Sequence, residues 1–259
     1  MAHRSEMLTI NGVSTHVIRG GRGAPLLVLP PEFAPGRWFP YHDQLASRFL
    51  VVAPDHPGFG QSERPDWLEG IDDVVLHYLD LLDHLGVERA SLIGTSLGGW
   101  IAAELAVIQP QRVEKLVLVG AAGLKVEGVE RYDVFLNPLE RTLEKLFFDK
   151  SRTAQLLSTE IGPETIVRAY RDSASLARFT WNPYFYNPKL ERRLRRIRCP
   201  TLIVWGREDE FLPLAHGLAF EREIRGSSLR VIERCGHFVP FEQTQAFIDV
   251  AMAFLDREG

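Results

Sequence analysis

The chain has little sulfur, no strong charge of either sign and no long hydrophobic run, and each shortage closes off a class of explanation. Its 259 residues include two cysteines. If Cys199 opens one parallel strand and Cys235 follows the end of the next, they lie at opposite edges of a sheet. Seven extended residues span roughly 23 Å, against the ~7 Å between Cα atoms that a disulfide allows. Both are read as reduced thiols, as in a cytoplasmic protein. No cluster of Cys and His has metal-ligand spacing, so neither a metal nor another cofactor is expected. The formal charge of −4 leaves no basic footprint for nucleic acid or an anionic membrane. No apolar run nears the ~20 residues of a bilayer span. The longest, 115–124, is broken by glycine and suits a buried strand. Met-Ala-His-Arg-Ser-Glu opens the chain with no apolar stretch behind it, so no secretory signal is expected. There is no internal repeat or low-complexity segment. What these exclusions leave as a partner is a small-molecule substrate; the oligomeric state is not legible.

Against the absences stands one dense stretch, Leu92-Ile93-Gly94-Thr95-Ser96-Leu97-Gly98-Gly99-Trp100. An apolar run with strand character, 90–93, ends in Gly-x-Ser-x-Gly, and a helical run, 100–108, follows. Strand, turn and helix are the context of a nucleophile elbow. So tight a turn holds Ser96 in a strained backbone conformation, with its hydroxyl clear of the sheet. Gly94 and Gly98 lack a Cβ and let strand and helix close on each other. The helix start points N–H groups at whatever Ser96 attacks. The five-residue pattern alone arises by chance in about one chain in ten of this length. A glycine-rich turn that binds phosphate, or nothing, competes with it until the rest of the chain is read.

Residues 7–10 and 15–19 alternate about Asn11-Gly12, a hairpin signal. Continuous apolar runs at 26–29 and 49–53 are expected of strands buried on both faces. The first ends in Pro30-Pro31-Glu32-Phe33. The second enters Asp55-His56-Pro57-Gly58-Phe59-Gly60-Gln61-Ser62, a loop of turn formers in which Asp55 is expected to hold backbone N–H groups. A helix is expected over 38–47. Asp72 and Asp73 can cap the next, with Val75, Leu79 and Leu82 on its apolar stripe and Gly86 at its end. Residues 113–119 form a further strand. Such alternation argues the α/β class, a mostly parallel sheet with helices on both faces.

The alternation stops at Gly123. Between 124 and 198 the pattern is helical, with Asn137-Pro138, Gly162-Pro163 and Asn187-Pro188 each opening a helix. The third sets Leu190, Leu194 and Ile197 on one face and Arg192, Arg193, Arg195 and Arg196 on the other, where a solvated face is preferred to an anion site. The α/β pattern then resumes: a strand over 200–205, a helix over 213–224, a strand over 228–232 and a helix over 243–255. Residues 1–123 and 199–259 therefore read as a core, and 124–198 as a helical cap over an active site.

Serine is a weak nucleophile that needs a base in contact, and the base needs a third group to fix its tautomer. Two late loops offer both on the sheet edge where Ser96 sits: Gly206-Arg207-Glu208-Asp209-Glu210 and Cys235-Gly236-His237-Phe238. Asp209 competes with Glu208 and Glu210 as the acid. His56 stays open beside His237; the other histidines read as surface or structural. Four motifs now stand in one order: the Asp55 to Ser62 loop, Gly-Thr-Ser-Leu-Gly, Trp-Gly-Arg-Glu-Asp and Cys-Gly-His. Through them essentially the whole chain resembles the α/β-hydrolase superfamily. The resemblance implies an eight-stranded sheet with its second strand antiparallel and a cap between the sixth and seventh strands. It implies Ser96 as nucleophile, His237 as general base and acid, and Asp209, three residues after the glycine, as the orienting carboxylate. The chain departs from the family at Pro30-Pro31, where His-Gly is usual. Pro31 has no N–H, so the oxyanion donors expected by alignment are the N–H groups of Glu32 and Leu97. The Glu32 carboxylate would oppose an oxyanion unless it turns away, is neutral or acts on the substrate.

The function expected is cofactor-independent hydrolysis through an acyl-enzyme on Ser96, first of a carboxylic ester or lactone with an apolar part. Carbon–carbon bond hydrolysis, perhydrolysis and thioester hydrolysis use the same constellation. Haloalkane dehalogenase and epoxide hydrolase readings are disfavoured, since such relatives carry Asp where this chain has Ser96. A rival from another class is a ligand-binding protein that has lost turnover, favoured by Pro30-Pro31-Glu32 alone. The aromatic-dense stretch 179–186 either lines an apolar pocket or packs the cap. Trp38, Trp181 and Phe238 are the pocket residues expected.

Overall fold

The Asn11-Gly12 turn sets the first strand pair in the computed structural model of the protein, which describes residues 3–158 and 162–257. Both turn residues have positive φ, 45° and 85°, as a two-residue hairpin turn demands. They join β1 (His3–Ile10) to β2 (Val13–Gly20). The apolar runs follow as β3 (Pro25–Leu29), β4 (Leu50–Pro54), β5 (Ala90–Thr95), β6 (Val113–Val119), β7 (Thr201–Gly206) and β8 (Ser228–Ile232). The eight strands form one sheet in the order β1-β2-β4-β3-β5-β6-β7-β8. β2 is antiparallel to both neighbours, and every later pairing is parallel. The two α/β stretches of the sequence thus share one sheet.

The helices are α1 (Pro40–Ala46), α2 (Ile71–His84), α3 (Leu97–Ile108), α4 (Leu139–Leu146), α5 (Lys150–Ser158), α6 (Pro163–Thr180), α7 (Leu190–Arg193), α8 (Ala215–Glu223), α9 (Val239–Glu242) and α10 (Thr244–Leu255). The apolar side chains divide into two clusters, one on each face of the sheet. The first takes Tyr78 from α2, Ile101 from α3 and Phe220 from α8. The second takes Leu45 from α1 and Phe247 and Ala251 from α10. Parallel crossovers bring the ends of β3, β5 and β7 and the loop after β8 to one edge, and the candidate residues ride on them.

Several boundaries differ from expectation. α1 begins at Pro40 and leaves Trp38 ahead of it. α2 begins at Ile71, before Asp72 and Asp73. The Asp73 carboxylate reaches back to the N–H groups of Glu69 and Gly70, at 2.8 and 3.2 Å. Residues 124–138 carry no helix; Gly123 and Gly128, at φ 102° and 75°, hold a backbone that a helix cannot continue. Asn187-Pro188 opens only the single turn α7 and a following 3-10 turn. Its Leu190, Leu194 and Ile197 are buried nonetheless. Ile166, Val167 and Tyr170 of α6 face solvent. Both cysteines are free. Among the described residues no helix is long and apolar enough to cross a membrane.

Candidate active site

Ser96 is the joint between β5 and α3. Its φ of 52° and ψ of −116° lie where non-glycine residues seldom go. The conformation follows from the glycines beside it. A Cβ on Gly94 would stand 2.3 Å from the Gly98 carbonyl oxygen, and one on Gly98 would stand 2.4 Å from that of Leu29. Strand and helix meet here because neither position carries a side chain.

His237 approaches from the loop after β8. Its Nε2 lies 2.8 Å from Ser96 Oγ, and its Nδ1 lies 2.8 Å from Asp209 Oδ2. Asp209 Oδ1 accepts the N–H groups of Phe211 and Leu212 at 3.0 and 2.8 Å, which stops the carboxylate from turning. Its rivals are engaged elsewhere. Glu208 accepts the Cys235 N–H at 2.9 Å, and exposed Glu210 pairs with Lys145 and Lys150. Ser96 and His237 have no exposed surface, and Asp209 is 5% exposed.

Sequence reasoning missed what holds the histidine loop. Glu242 accepts the N–H groups of Gly236, Phe148 and Asp149 at 2.6, 3.2 and 2.7 Å. The His237 N–H donates to the Leu146 carbonyl at 2.8 Å. His237 is thereby tied to the chain at the end of α4. A glutamate five residues past His237 was the only trace of this in the sequence, and no spacing rule marks it.

The loop after β3 delivers the Glu32 side chain as well as its backbone. The Leu97 N–H donates to Glu32 Oε2 at 3.3 Å, and the Ser96 hydroxyl donates to Oε1 at 3.2 Å. The N–H of Glu32 itself also bonds the carboxyl. The carboxyl therefore fills the space between the two N–H groups expected to receive an oxyanion. It is 2% exposed. Burial pushes its pKa up, against the opposing pull of His237 and of these hydrogen bonds. His56 braces the same loop. Its Nε2 lies 2.9 Å from the Pro30 carbonyl and its Nδ1 2.5 Å from the Tyr78 hydroxyl. Burial lowers its pKa to about 4, so it is a neutral brace of that loop.

Rings wall the site. Phe211 and Phe238 lie 4.7 and 5.3 Å from the His237 ring, centroid to centroid. Phe33 and Phe147 pack on Phe238, and Phe185 on Phe211. Of the three pocket residues expected, Phe238 is here and the two tryptophans are not. Trp38 stacks on His3 and His42 and donates its Nε1–H to Asp43. It lies against Gly20, which pairs with the start of β4, at the sheet edge away from Ser96. Trp181, at the end of α6, is 61% exposed and leans on Phe135. Aromatic density marks rings but not their direction, which the turn ahead of each ring decides.

Away from the site, a cleft of about 690 Å³ is lined by Val107, Ile108, Pro188, Lys189 and the four arginines of the 192–196 run. Arg192, Arg195 and Arg196 are exposed there. Among the described residues no three His, Cys, Asp or Glu are placed to hold a metal ion. A buried hydroxyl with a base and an acid in line, beside backbone donors, is equipped to attack a carbonyl carbon.

Comparison with known proteins agrees in kind. A family model described as the alpha/beta hydrolase family matches residues 33–250. A 2-hydroxy-6-oxo-2,4-heptadienoate hydrolase of Pseudomonas putida is 30% identical, with 99% of this chain and 98% of the relative aligned. A 2-hydroxymuconate semialdehyde hydrolase of a Pseudomonas species is 32% identical over 94% and 91%. Among solved structures, the meta-cleavage product hydrolase CumD superposes with a TM-score of 0.81 at 26% identity, covering 97% of each chain. A serine hydrolase involved in carbazole degradation, CarC, superposes at 0.79 with 26% identity over 98% and 99%.

Proposed function

The chain belongs to the alpha/beta hydrolase family and is a hydrolase, and from that premise we propose that it hydrolyses a carbon–carbon bond in a 2-hydroxy-6-oxo-dienoate. The observation that carries the chemistry is the line from Ser96 through His237 to Asp209 at 2.8 and 2.8 Å on a strained elbow. The choice of bond rests on the relatives. The substrates in their names hold no ester, and the bond open to hydrolysis joins C5 to the 6-oxo carbon. An ester or lactone, the first expectation from the motifs, would use the same groups but has less support.

In this reading Ser96 Oγ attacks the 6-oxo carbon while His237 takes its proton and Asp209 holds the imidazole tautomer. The N–H groups of Leu97 and Glu32 receive the oxyanion. The C5–C6 bond breaks, leaving the acyl group on Ser96. Its electron pair delocalises from C5 towards the oxygen at C2 once that oxygen is in its keto form. Water then frees the acid. The rings around His237 suit the apolar part of such a molecule. Residues 124–198 act as a cap on a core of 1–123 and 199–259. The bond from His237 N–H to Leu146 and the packing of Phe147 on Phe238 support that division.

The test is incubation of the protein with 2-hydroxy-6-oxo-2,4-heptadienoate, following the dienol absorbance and identifying products by mass. Release of acetate and 2-hydroxypenta-2,4-dienoate is expected. Turnover of simple esters with none of dienoates would return the protein to the ester reading. No turnover of either would favour a binding protein.

A further inference from the structure

One carboxyl at the reacting atoms has no task in that reaction. Glu32 Oε1 is 3.2 Å from Ser96 Oγ, and Ser96 Oγ is 2.8 Å from His237 Nε2. Carboxyl and imidazole are thus joined through the nucleophile. One proton can sit at either end of this chain without changing the net charge, as carboxylate with imidazolium or as carboxyl with imidazole. Both ends are buried, at 2% and 0% exposure, and burial pushes the Glu32 carboxyl towards its protonated form. In that form His237 is free to accept the Ser96 proton, and Glu32 holds a proton to give. The carboxyl also rests on the Leu97 N–H, in the place a substrate oxygen must take.

We infer that Glu32 is a second acid–base catalytic residue, which fills the oxyanion pocket at rest and protonates the leaving carbon once substrate displaces it. This rests on the carbon–carbon reading. A phenolate leaves an ester as a stable anion, but a carbon leaving group is far more basic and needs a proton. When the 6-oxo oxygen takes over the two N–H donors, the carboxyl moves aside as the neutral acid. The Ser96 proton passes to His237 as Oγ bonds to C6. The Glu32 proton is added at C5 before cleavage, as the C2 hydroxyl gives up its own to solvent, which makes the keto form. The C5–C6 bond then breaks, its electron pair runs from C5 to the C2 oxygen, and that oxygen takes a proton back from solvent. Glu32 is now a carboxylate and His237 an imidazolium. In the second half, Glu32 takes a proton from water as the hydroxide adds to the acyl carbon. His237 returns its proton to Ser96 Oγ as that oxygen leaves. Both groups end as they began.

The test compares Glu32→Gln with wild type on 2-hydroxy-6-oxo-2,4-heptadienoate and on 4-nitrophenyl acetate, with circular dichroism to verify folding. Glutamine keeps the size and hydrogen bonding of the side chain but has no acidic proton. The kcat for the dienoate should fall by ~10²-fold or more. The kcat for the ester should fall at least about tenfold less, so the ratio of the two rates carries the signal. Glu32→Asp should restore part of the dienoate rate. Equal falls on both substrates would make Glu32 a positioning residue and overturn the inference, as would no fall on either. Should Glu32→Gln fail to fold, the same ratio is read with Glu32→Ala. A wild type that turns over the ester but no dienoate defeats the carbon–carbon reading and takes this inference with it. A wild type that cleaves the dienoate no faster than Glu32→Gln defeats the inference alone.

Discussion

Two serine–histidine–aspartate lines run through this molecule. Ser96, His237 and Asp209 are joined at 2.8 and 2.8 Å; Ser5, His16 and Asp55 are joined at 2.7 and 2.9 Å. By distance they are alike, and the difference lies around each serine. Ser96 stands at positive φ at the head of a 12-residue helix, fully buried, with the Leu97 N–H beside it. Ser5 lies within the edge strand β1, exposed and paired in register with Ile18. No helix begins there. Asp55 also accepts the N–H groups of Gln61, at 2.9 Å, and Gly36. The second line therefore stitches β1, β2 and the loop after β4 together. Three residues in line are not enough for a site. A hydroxyl presented on a strained strand-to-helix turn beside a backbone N–H sets the first line apart.

The two lines should separate most when each serine is removed. Ser96→Ala and His237→Ala should each lower kcat by ~10⁴-fold or more, while Ser5→Ala stays within about twofold; a loss in Ser5→Ala as large as in Ser96→Ala would make the two lines equivalent. The carboxylates should separate next. Asp209→Asn should cost ~10⁴-fold in kcat through the wrong tautomer, with the fold kept. Asp55→Asn should instead cost about 3 kcal/mol of stability in urea unfolding, because it breaks a buried pair, with the kcat of the folded fraction retained.

Acid should weaken the fold through buried histidines that lie near both lines. His77 lies 3.0 Å from Thr15 on β2, and His56 follows Asp55. Burial lowers both to about 4, and His42 to about 3, from 6.5. Between pH 6.5 and 4 the unfolded chain binds protons that the folded protein refuses, so stability falls as pH falls through that window. The slope is up to ~1.4 kcal/mol per pH unit for each histidine. Asp172, raised to about 6 chiefly by burial, works the other way and offsets part of the loss. Urea midpoints at pH 6.5 and 4.5 check the sign, and a higher midpoint at 4.5 would contradict it. The smallest effect should come from Glu210→Gln, which breaks exposed pairs with Lys145 and Lys150. It should cost about 0.5 kcal/mol or less and leave kcat unchanged, whereas a large kcat loss would reopen the choice of acid.

The sequence makes Ser96, Asp209 and His237 legible for a physical reason. Each follows a strand whose apolar run is easy to read, and parallel strands deliver their ends to one edge. Contacts between loops carry no such signal. Glu32 is readable as a backbone donor, but the direction of its carboxyl depends on the turn after Pro31. Ser5, His16 and Asp55 meet across 11 and 39 residues of chain, with no motif to announce them. The helical segment is legible at its proline-marked starts. Residues 124–138 are not, because irregular backbone has no period. Trp38 misleads because a ring ahead of a helix can turn to either edge of the sheet.

The most direct measurement is reaction of the folded protein with a fluorophosphonate, read by intact mass and peptide mapping. A single adduct on Ser96, absent from Ser96→Ala, is expected. An adduct on Ser5, or none on the folded protein, would contradict it.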